Sequence, residues 1–176
     1  MGVFFKDIIG QSTVIDRLRR SVDDNKLAHA LLISGPQGNG KLPIAIALAN
    51  YLLCGNGGGD ACGACPACVK LRKYIHSDLH FVFPVNKGPK SSDDKPVSDS
   101  YIKYWRELAV ANPYFVEADL QKAIGVESKN SLIAVAEARN IINKLSLTAV
   151  ADGYKAVVFY LPEKMNQETA NRLLKM

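Results

Sequence analysis

Leu31-Leu32-Ile33-Ser34-Gly35-Pro36-Gln37-Gly38-Asn39-Gly40-Lys41-Leu42 is the stretch whose reading decides the fold. A short apolar run predicts a buried strand, a glycine-rich turn follows it, and a lysine then opens a helix. This is the layout of a phosphate-binding loop. Gly35, Gly38 and Gly40 permit backbone angles that aim successive N–H groups at an anion, and the helix adds its positive N-terminal end. Lys41 supplies the point charge for terminal phosphates. Gly35, Pro36, Gly38, Asn39, Gly40 and Lys41 are therefore the candidate nucleotide-contacting residues. The next position breaks the pattern. A working loop places Ser or Thr there to hold magnesium through a hydroxyl, and this chain has Leu42. A glycine-rich strand-to-helix turn with a chance lysine is the plainer alternative. Whether the loop works or only keeps its shape is open at this point.

Downstream of the loop, Pro43 suits the first turn of a helix, and Ile44, Leu48, Tyr51 and Leu52 recur at helical spacing toward the first cysteine. Cys54, Cys62, Cys65 and Cys68 form a C-x7-C-x2-C-x2-C cluster within fifteen residues. Two adjacent C-x2-C steps let thiolates converge, and Cys54 closes a tetrahedron of the kind zinc prefers. An iron–sulfur cluster is the alternative metal reading, and free structural cysteines are the plain one. Four protein ligands leave no open coordination position, so the expectation is a structural site and no catalytic residue. The clustering points to a reducing compartment and hence to the cytoplasm, not to a secreted disulfide framework.

Composition bounds the rest. With 176 residues and 48% hydrophobic content the chain can build one ordinary core. Its net charge of +5 favours an acidic partner such as nucleic acid, though an ordinary basic protein fits equally. No charged leader followed by an apolar segment opens the chain, and no apolar run reaches membrane-spanning length, so neither signal peptide nor membrane association is expected.

Working outward, Ser12 reads as the N-cap of a helix through Val14, Leu18 and Val22, with Arg17, Arg19 and Arg20 on its wet side. His29 is expected to pack at the entrance of the first strand. A second buried strand is expected within His76–Pro84, and His76 and His80 read as structural because four cysteines already fill a metal shell. Asn86 to Asp99 reads as a mobile surface loop. Tyr101, Tyr104, Trp105 and Leu108 lie on a following helix that Asn112-Pro113 ends, with a further helix over Phe115–Ile124. That aromatic row could stack on bases, but a helix face packed on a core is the stronger reading. Ser131 to Leu145 predicts an amphipathic helix with Arg139 exposed, Ala156 to Tyr160 a third buried strand, and the last residues a helix with no stop signal before Met176. The reading therefore expects a chain cut at that point.

Together these segments resemble the AAA+ clamp-loader subunits of bacterial DNA polymerase III, the delta-prime type most of all. The resemblance is carried by Phe5-Lys6-Asp7-Ile8-Ile9-Gly10-Gln11, by His29 to Pro36, by the four-cysteine insert, by Ile133 to Arg139, and by Glu163-Lys164-Met165-Asn166 with Ala170 to Lys175. It implies an α/β fold: a P-loop AAA+ parallel sheet flanked by helices, with an inserted four-cysteine zinc module at residues 54–68 and the C-terminal strands and lid missing. Residues 85–128 look like an insertion in one partial AAA+ domain spanning 1–176.

In ATP-hydrolysing relatives the third strand ends in Asp-Glu, which hold magnesium and prime water. Tyr160-Leu161 stand there in this chain, and neither can bind a hard cation or take a proton at neutral pH. The resemblance thus implies a non-catalytic member of a DNA-polymerase holoenzyme. Its partners would be the gamma/tau and delta subunits and, through the complex, the sliding clamp and primed DNA. ATP binding is doubtful and no magnesium site is expected. A Ser-Arg-Cys arginine motif would lie beyond Met176. In the family's sheet order, the strand after the last helix separates the first strand from the third. Leu31–Ser34 and Ala156–Tyr160 are accordingly expected to show open edges, closed by rearrangement or by a second copy. The competing readings are an ATP-hydrolysing gamma/tau-type subunit and a stand-alone zinc-bearing nucleic-acid-binding module.

Overall fold

A computed structural model describes residues 2–56, 58–127, 129–149 and 153–175. Ser128, at the expected end of the insertion, and Met176 lie outside them. The centre of the molecule is helix α2, Lys41–Leu52, whose sequence KLPIAIALANYL is apolar on every side. Such a helix cannot sit at a surface, and Leu42, Ile44, Ile46, Ala47, Leu48, Ala49 and Tyr51 are all buried. Gly40 caps it in the left-handed region (φ 85°), and Pro43 costs nothing in a first turn that has no carbonyl to pair with. The other helices are α1 (Ser12–Asp23), which packs on α2, the short α3 (Pro66–Leu71), α4 (Ser98–Ala111), α5 (Glu117–Ile124), α6 (Val135–Ser146) and α7 (Gln167–Leu173). α6 and α7 pack on each other in a second, smaller core with Val82, Ile133 and Ile141. Gln11, with φ 59°, and not Ser12, is the residue that precedes α1 as its cap.

Two strands form a parallel ladder. β1 (Leu79–Val82) runs beside β2 (Ala156–Phe159), with Leu79 opposite Ala156 and Phe81 opposite Val158. The ladder is continued by the Ala156 N–H donating to the Asp78 carbonyl and the Tyr160 N–H to the Val82 carbonyl, both at 2.8 Å. Beyond β1, Val85 makes an antiparallel bridge to Leu132, and Ile133 a parallel bridge to Met165. The second and third expected strands are thus present.

The first is not. Leu31–Ser34 joins no ladder among the described residues, and only Ile33 leans on the core. Leu31 is 47% exposed and Leu32 82%. The sheet gap is not closed by rearrangement among these residues. An apolar run extends only where a neighbouring strand satisfies its N–H and C=O groups, and none is described beside this one. His29, expected to pack there, is exposed for the same reason.

The stretch expected as an insertion contributes Val85, Tyr101, Trp105, Ala109, Phe115, Leu120, Ile124 and Val126 to the main core. Trp105 is fully buried. It stacks on Phe81 with centroids 4.0 Å apart and meets Tyr74, Phe83 and Phe115 at 5.6–6.1 Å. The aromatic row is therefore a packed helix face. The stretch after Asn86 is also better tethered than a mobile loop. The Tyr101 hydroxyl donates to the Asn86 carbonyl at 2.9 Å and accepts the Gly88 N–H at 3.0 Å. Lys90 Nζ donates to the Ala123 carbonyl at 2.6 Å and lies over the Tyr104 ring. Ser98 and Asp99 already belong to α4.

On α6 the buried face is Glu137, Ala138 and Ile141, while Arg139 is exposed as expected and Leu132, before the helix, is 42% exposed. Glu137 Oε2 accepts the Ser98 N–H at 2.6 Å and its hydroxyl at 2.9 Å, and among the described residues Oε1 has no hydrogen-bond partner. Burial raises the Glu137 pKa, since removing water penalises the charged form.

Candidate functional site

The glycine-rich loop leads straight into α2, so its geometry is set by the Gly40 cap and the helix behind it. Gly35, Gly38 and Gly40 all have φ between 83° and 156°, as a loop curling its N–H groups inward requires. Its interior, however, is occupied by the chain's own side chains. Lys41 Nζ donates to the Gly35 and Pro36 carbonyls, each at 2.6 Å. The Asn39 carboxamide lies across the loop: a Cβ on Gly35 would come within 2.3 Å of Asn39 Nδ2. Gln11 Nε2 donates to the Asn39 carbonyl at 3.4 Å. Leu42 points into the core, 7% exposed, so no group on that side faces a cation.

Tyr114 is a contact the sequence reading missed. Its hydroxyl accepts the Ile9 N–H at 3.2 Å, and its ring edge would be 3.4 Å from a Cβ on Gly40. The neighbouring Phe115 meets Tyr160 edge-on at 5.3 Å. Tyr160 is half-buried, and burial pushes its phenol up to about 12. Leu161 turns into the left-handed region with φ 56°. Aromatic rings therefore fill the ground between the loop and the end of β2. The only sequence signal for this was the Asn112-Pro113 turn, which places Tyr114 but does not say against what.

The four cysteines do come together. Cys54 lies just past α2, Cys62 and Cys65 on the following loop, and Cys68 in α3; their sulfurs lie within 4.8 Å of one another. A zinc–thiolate tetrahedron with bonds of about 2.3 Å has sulfur–sulfur edges of roughly 3.8 Å, and Cys62 and Cys68 are already at 3.9 Å. The donor set and its spacing fit a thiophilic metal. Backbone N–H groups are aimed at the sulfurs: Cys62 N–H on Cys54 Sγ at 3.3 Å, Cys65 N–H on Cys62 Sγ and Cys68 N–H on Cys65 Sγ, each at 3.4 Å. The last of these caps α3, with Pro66 following at its first turn.

The N–H groups of Ala64 and Cys65 hold the exposed Cys62 thiol down to about 6, while burial pushes Cys68 up. A cation among the four would reverse the second shift, because it stabilises every thiolate. Asp60 ties this loop to the chain's start, its carboxylate accepting the Phe5 and Lys6 N–H groups at 3.2 and 3.0 Å. His76 and His80 stand apart from the sulfur cluster, on the side of β1 and α4.

Comparisons with known proteins agree with these elements. A family model described as "DNA polymerase III, delta subunit" matches residues 10–176. The chain is similar to DNA polymerase III subunit delta' of Bacillus subtilis, 32% identical over 93 residues, covering 53% of this chain and 28% of that protein. It is also similar to DNA polymerase III subunit gamma of Buchnera aphidicola, 36% identical over 77 residues, 43% of this chain and 21% of that one. A third relative is DNA polymerase III subunit tau/gamma of Haemophilus influenzae, 38% identical over 76 residues, 43% of this chain and 11% of that one. The matched stretch thus spans less than a third of each of these relatives. A loop preceding a wholly buried helix, the cysteine cluster behind it and the match over nearly the whole sequence make one conclusion plain: this chain belongs to the DNA polymerase III delta-subunit family.

Proposed function

We propose that the chain is a non-catalytic clamp-loader subunit of the delta-prime type, contributing architecture to the loading of a sliding clamp on primed DNA. The observation that carries this is the state of the phosphate loop: Lys41 is spent on the Gly35 and Pro36 carbonyls and Leu42 is buried. Hydrolysis needs a hydroxyl and a carboxylate on magnesium and a base for water, and Leu42, Tyr160 and Leu161 supply none of them. Losing one charge-stabilising group costs an enzyme about 10²–10³ in rate, so losing the set leaves no useful turnover. The partners on this reading are gamma/tau and delta subunits, with clamp and DNA engaged through the complex, in the cytoplasm. Among the described residues no helix is long and apolar enough to cross a membrane.

Cys54, Cys62, Cys65 and Cys68 would hold zinc as a cross-link between the end of α2 and α3. With four protein ligands it would supply rigidity and no reactive water. Gly35, Pro36, Gly38, Asn39, Gly40 and Lys41 are on this reading a vestigial nucleotide loop.

The kinship with gamma and tau sequences favours one rival, an ATP-hydrolysing subunit. A phosphate-release assay with magnesium, ATP and primed DNA separates the two. The isolated chain should stay at background, and turnover that Lys41→Ala abolishes would overturn the proposal. Elemental analysis should return one zinc per chain, and visible absorbance from an iron–sulfur cluster would refute that part alone.

A further inference from the structure

Away from both the loop and the cysteines, a cavity of about 210 Å³ opens where β1 enters the sheet, between α4 and α6. Its wall carries His76, His80, Asp99, Ile102, Arg106 and Lys144. The hydrogen bonds there leave an excess of donors. Arg106 Nε donates to the Tyr74 carbonyl at 2.7 Å, and among the described residues its two terminal amino groups have no hydrogen-bond partner. His76 Nδ1 accepts the Asp78 N–H at 3.2 Å, so in the neutral ring the proton sits on Nε2, which becomes a donor. Lys144 Nζ contacts one oxygen of Asp99, keeping further N–H bonds to give. That same oxygen takes the Asn140 amide at 2.9 Å. Asp99 is thus already engaged, and Arg106, Lys144 and Asp99 on the wall sum to one net positive. The buried Asp78 carboxylate and the Lys70 and Lys155 ammoniums also act on the two histidines and leave the surroundings cationic. Burial lowers the pKa of both histidines, with Lys144 adding to the effect on His80.

A donor-rich, net-cationic cavity with one planar guanidinium end free fits a compact oxyanion with several acceptor oxygens. We propose that this cavity binds a phosphate monoester group, whether free or at the end of a nucleic-acid strand. A phosphate monoester presents its terminal oxygens in three directions, as donors from Arg106, His76 and Lys144 on different elements require, whereas a carboxylate's two oxygens lie in one plane. The site is independent of the Gly35–Lys41 loop and stands or falls separately from the clamp-loader reading.

The test uses the whole chain with isotope-labelled histidine, followed by NMR. Inorganic phosphate should shift the His76 and His80 ring signals saturably. Among oligonucleotides, a 5′-phosphorylated strand should shift them and its unphosphorylated twin should not, if nucleic-acid ends are the source; phosphate alone acting would identify the free ion. Arg106→Gln should weaken binding about ten-fold or more, the cost of a charge-assisted pair. Because Arg106 also holds the Tyr74 carbonyl, Ile102→Trp serves as a second variant that fills the cavity without touching a charge, and it should abolish the shifts. Lys41→Ala should leave them intact. Absence of any shift overturns the proposal. So do equal shifts with acetate, which would mean an acidic protein side chain instead, binding that survives both cavity variants, or loss of the signal in Lys41→Ala.

Discussion

Replacing Trp105 with alanine tests whether residues 85–128 are integral to the fold. The indole is fully buried and sits among four rings, nearest Phe81 at 4.0 Å between centroids. Burying an aromatic of this size removes about 150–250 Å² from water, worth roughly 4–6 kcal/mol at ~25 cal/mol per Å². Alanine recovers part of that, and large-to-small changes at buried aromatics cost about 3–5 kcal/mol in practice. One contribution runs the other way. Among the described residues the indole N–H has no hydrogen-bond partner, and removing a buried unsatisfied donor relieves about 1–3 kcal/mol. The expected net loss for Trp105→Ala is about 2 kcal/mol, the difference between the middles of these two ranges, or roughly 4–8 °C in Tm for a chain of this size. Trp105→Phe keeps a ring and drops the orphaned donor, so it should cost about 1 kcal/mol or less on the same reasoning. Urea unfolding followed by far-UV circular dichroism is the assay, because Trp105 is the sole tryptophan and its fluorescence vanishes with it. The slope of the transition should not change. A loss below about 1 kcal/mol for Trp105→Ala would refute the reasoning, since no buried aromatic hub can be removed at that cost.

Three further outcomes are expected. In metal-free protein at neutral pH, Cys62 should be the first cysteine alkylated by iodoacetamide, since its thiol is held at about 6 and exposed; zinc should protect all four, and peptide mapping reads both results. Glu137 has a folded pKa above its unfolded one, so the stability it contributes is complete below the unfolded pKa and is lost as pH rises through the folded value. Glu137→Gln should therefore flatten the decline of Tm between mildly acidic and neutral pH, and an unchanged pH profile would show the carboxyl is not strained by burial. Leu42→Thr restores a hydroxyl but not the strand-end acids, so phosphate release should stay at background; because Leu42 is 7% exposed, the same change should cost about 1–3 kcal/mol in urea unfolding.

Local signals were legible, and partnerships were not. Gly40-Lys41 announced α2, short apolar segments announced β1 and β2, and cysteine spacing announced a cluster whose sulfurs do converge. These depend on residues near one another in the chain. The failures all concern what a segment meets. Leu31–Ser34 carries the composition of a buried strand, but a ladder needs a neighbour, and composition cannot name one. The burial of Glu137 on α6 depends on Ser98, thirty-nine residues away, whose N–H and hydroxyl it accepts. A polar-looking stretch after Asn86 was held down by Tyr101, a residue that had been assigned only to packing. Tyr114 reached Gly40 and Ile9 through a fold that no spacing encodes.

The hold of Lys41 on two backbone carbonyls has a mechanical side. Two of the three ammonium N–H bonds are given to the main chain six and five residues back, so the turn is braced from within by its own lysine and its curl does not depend on a captured anion.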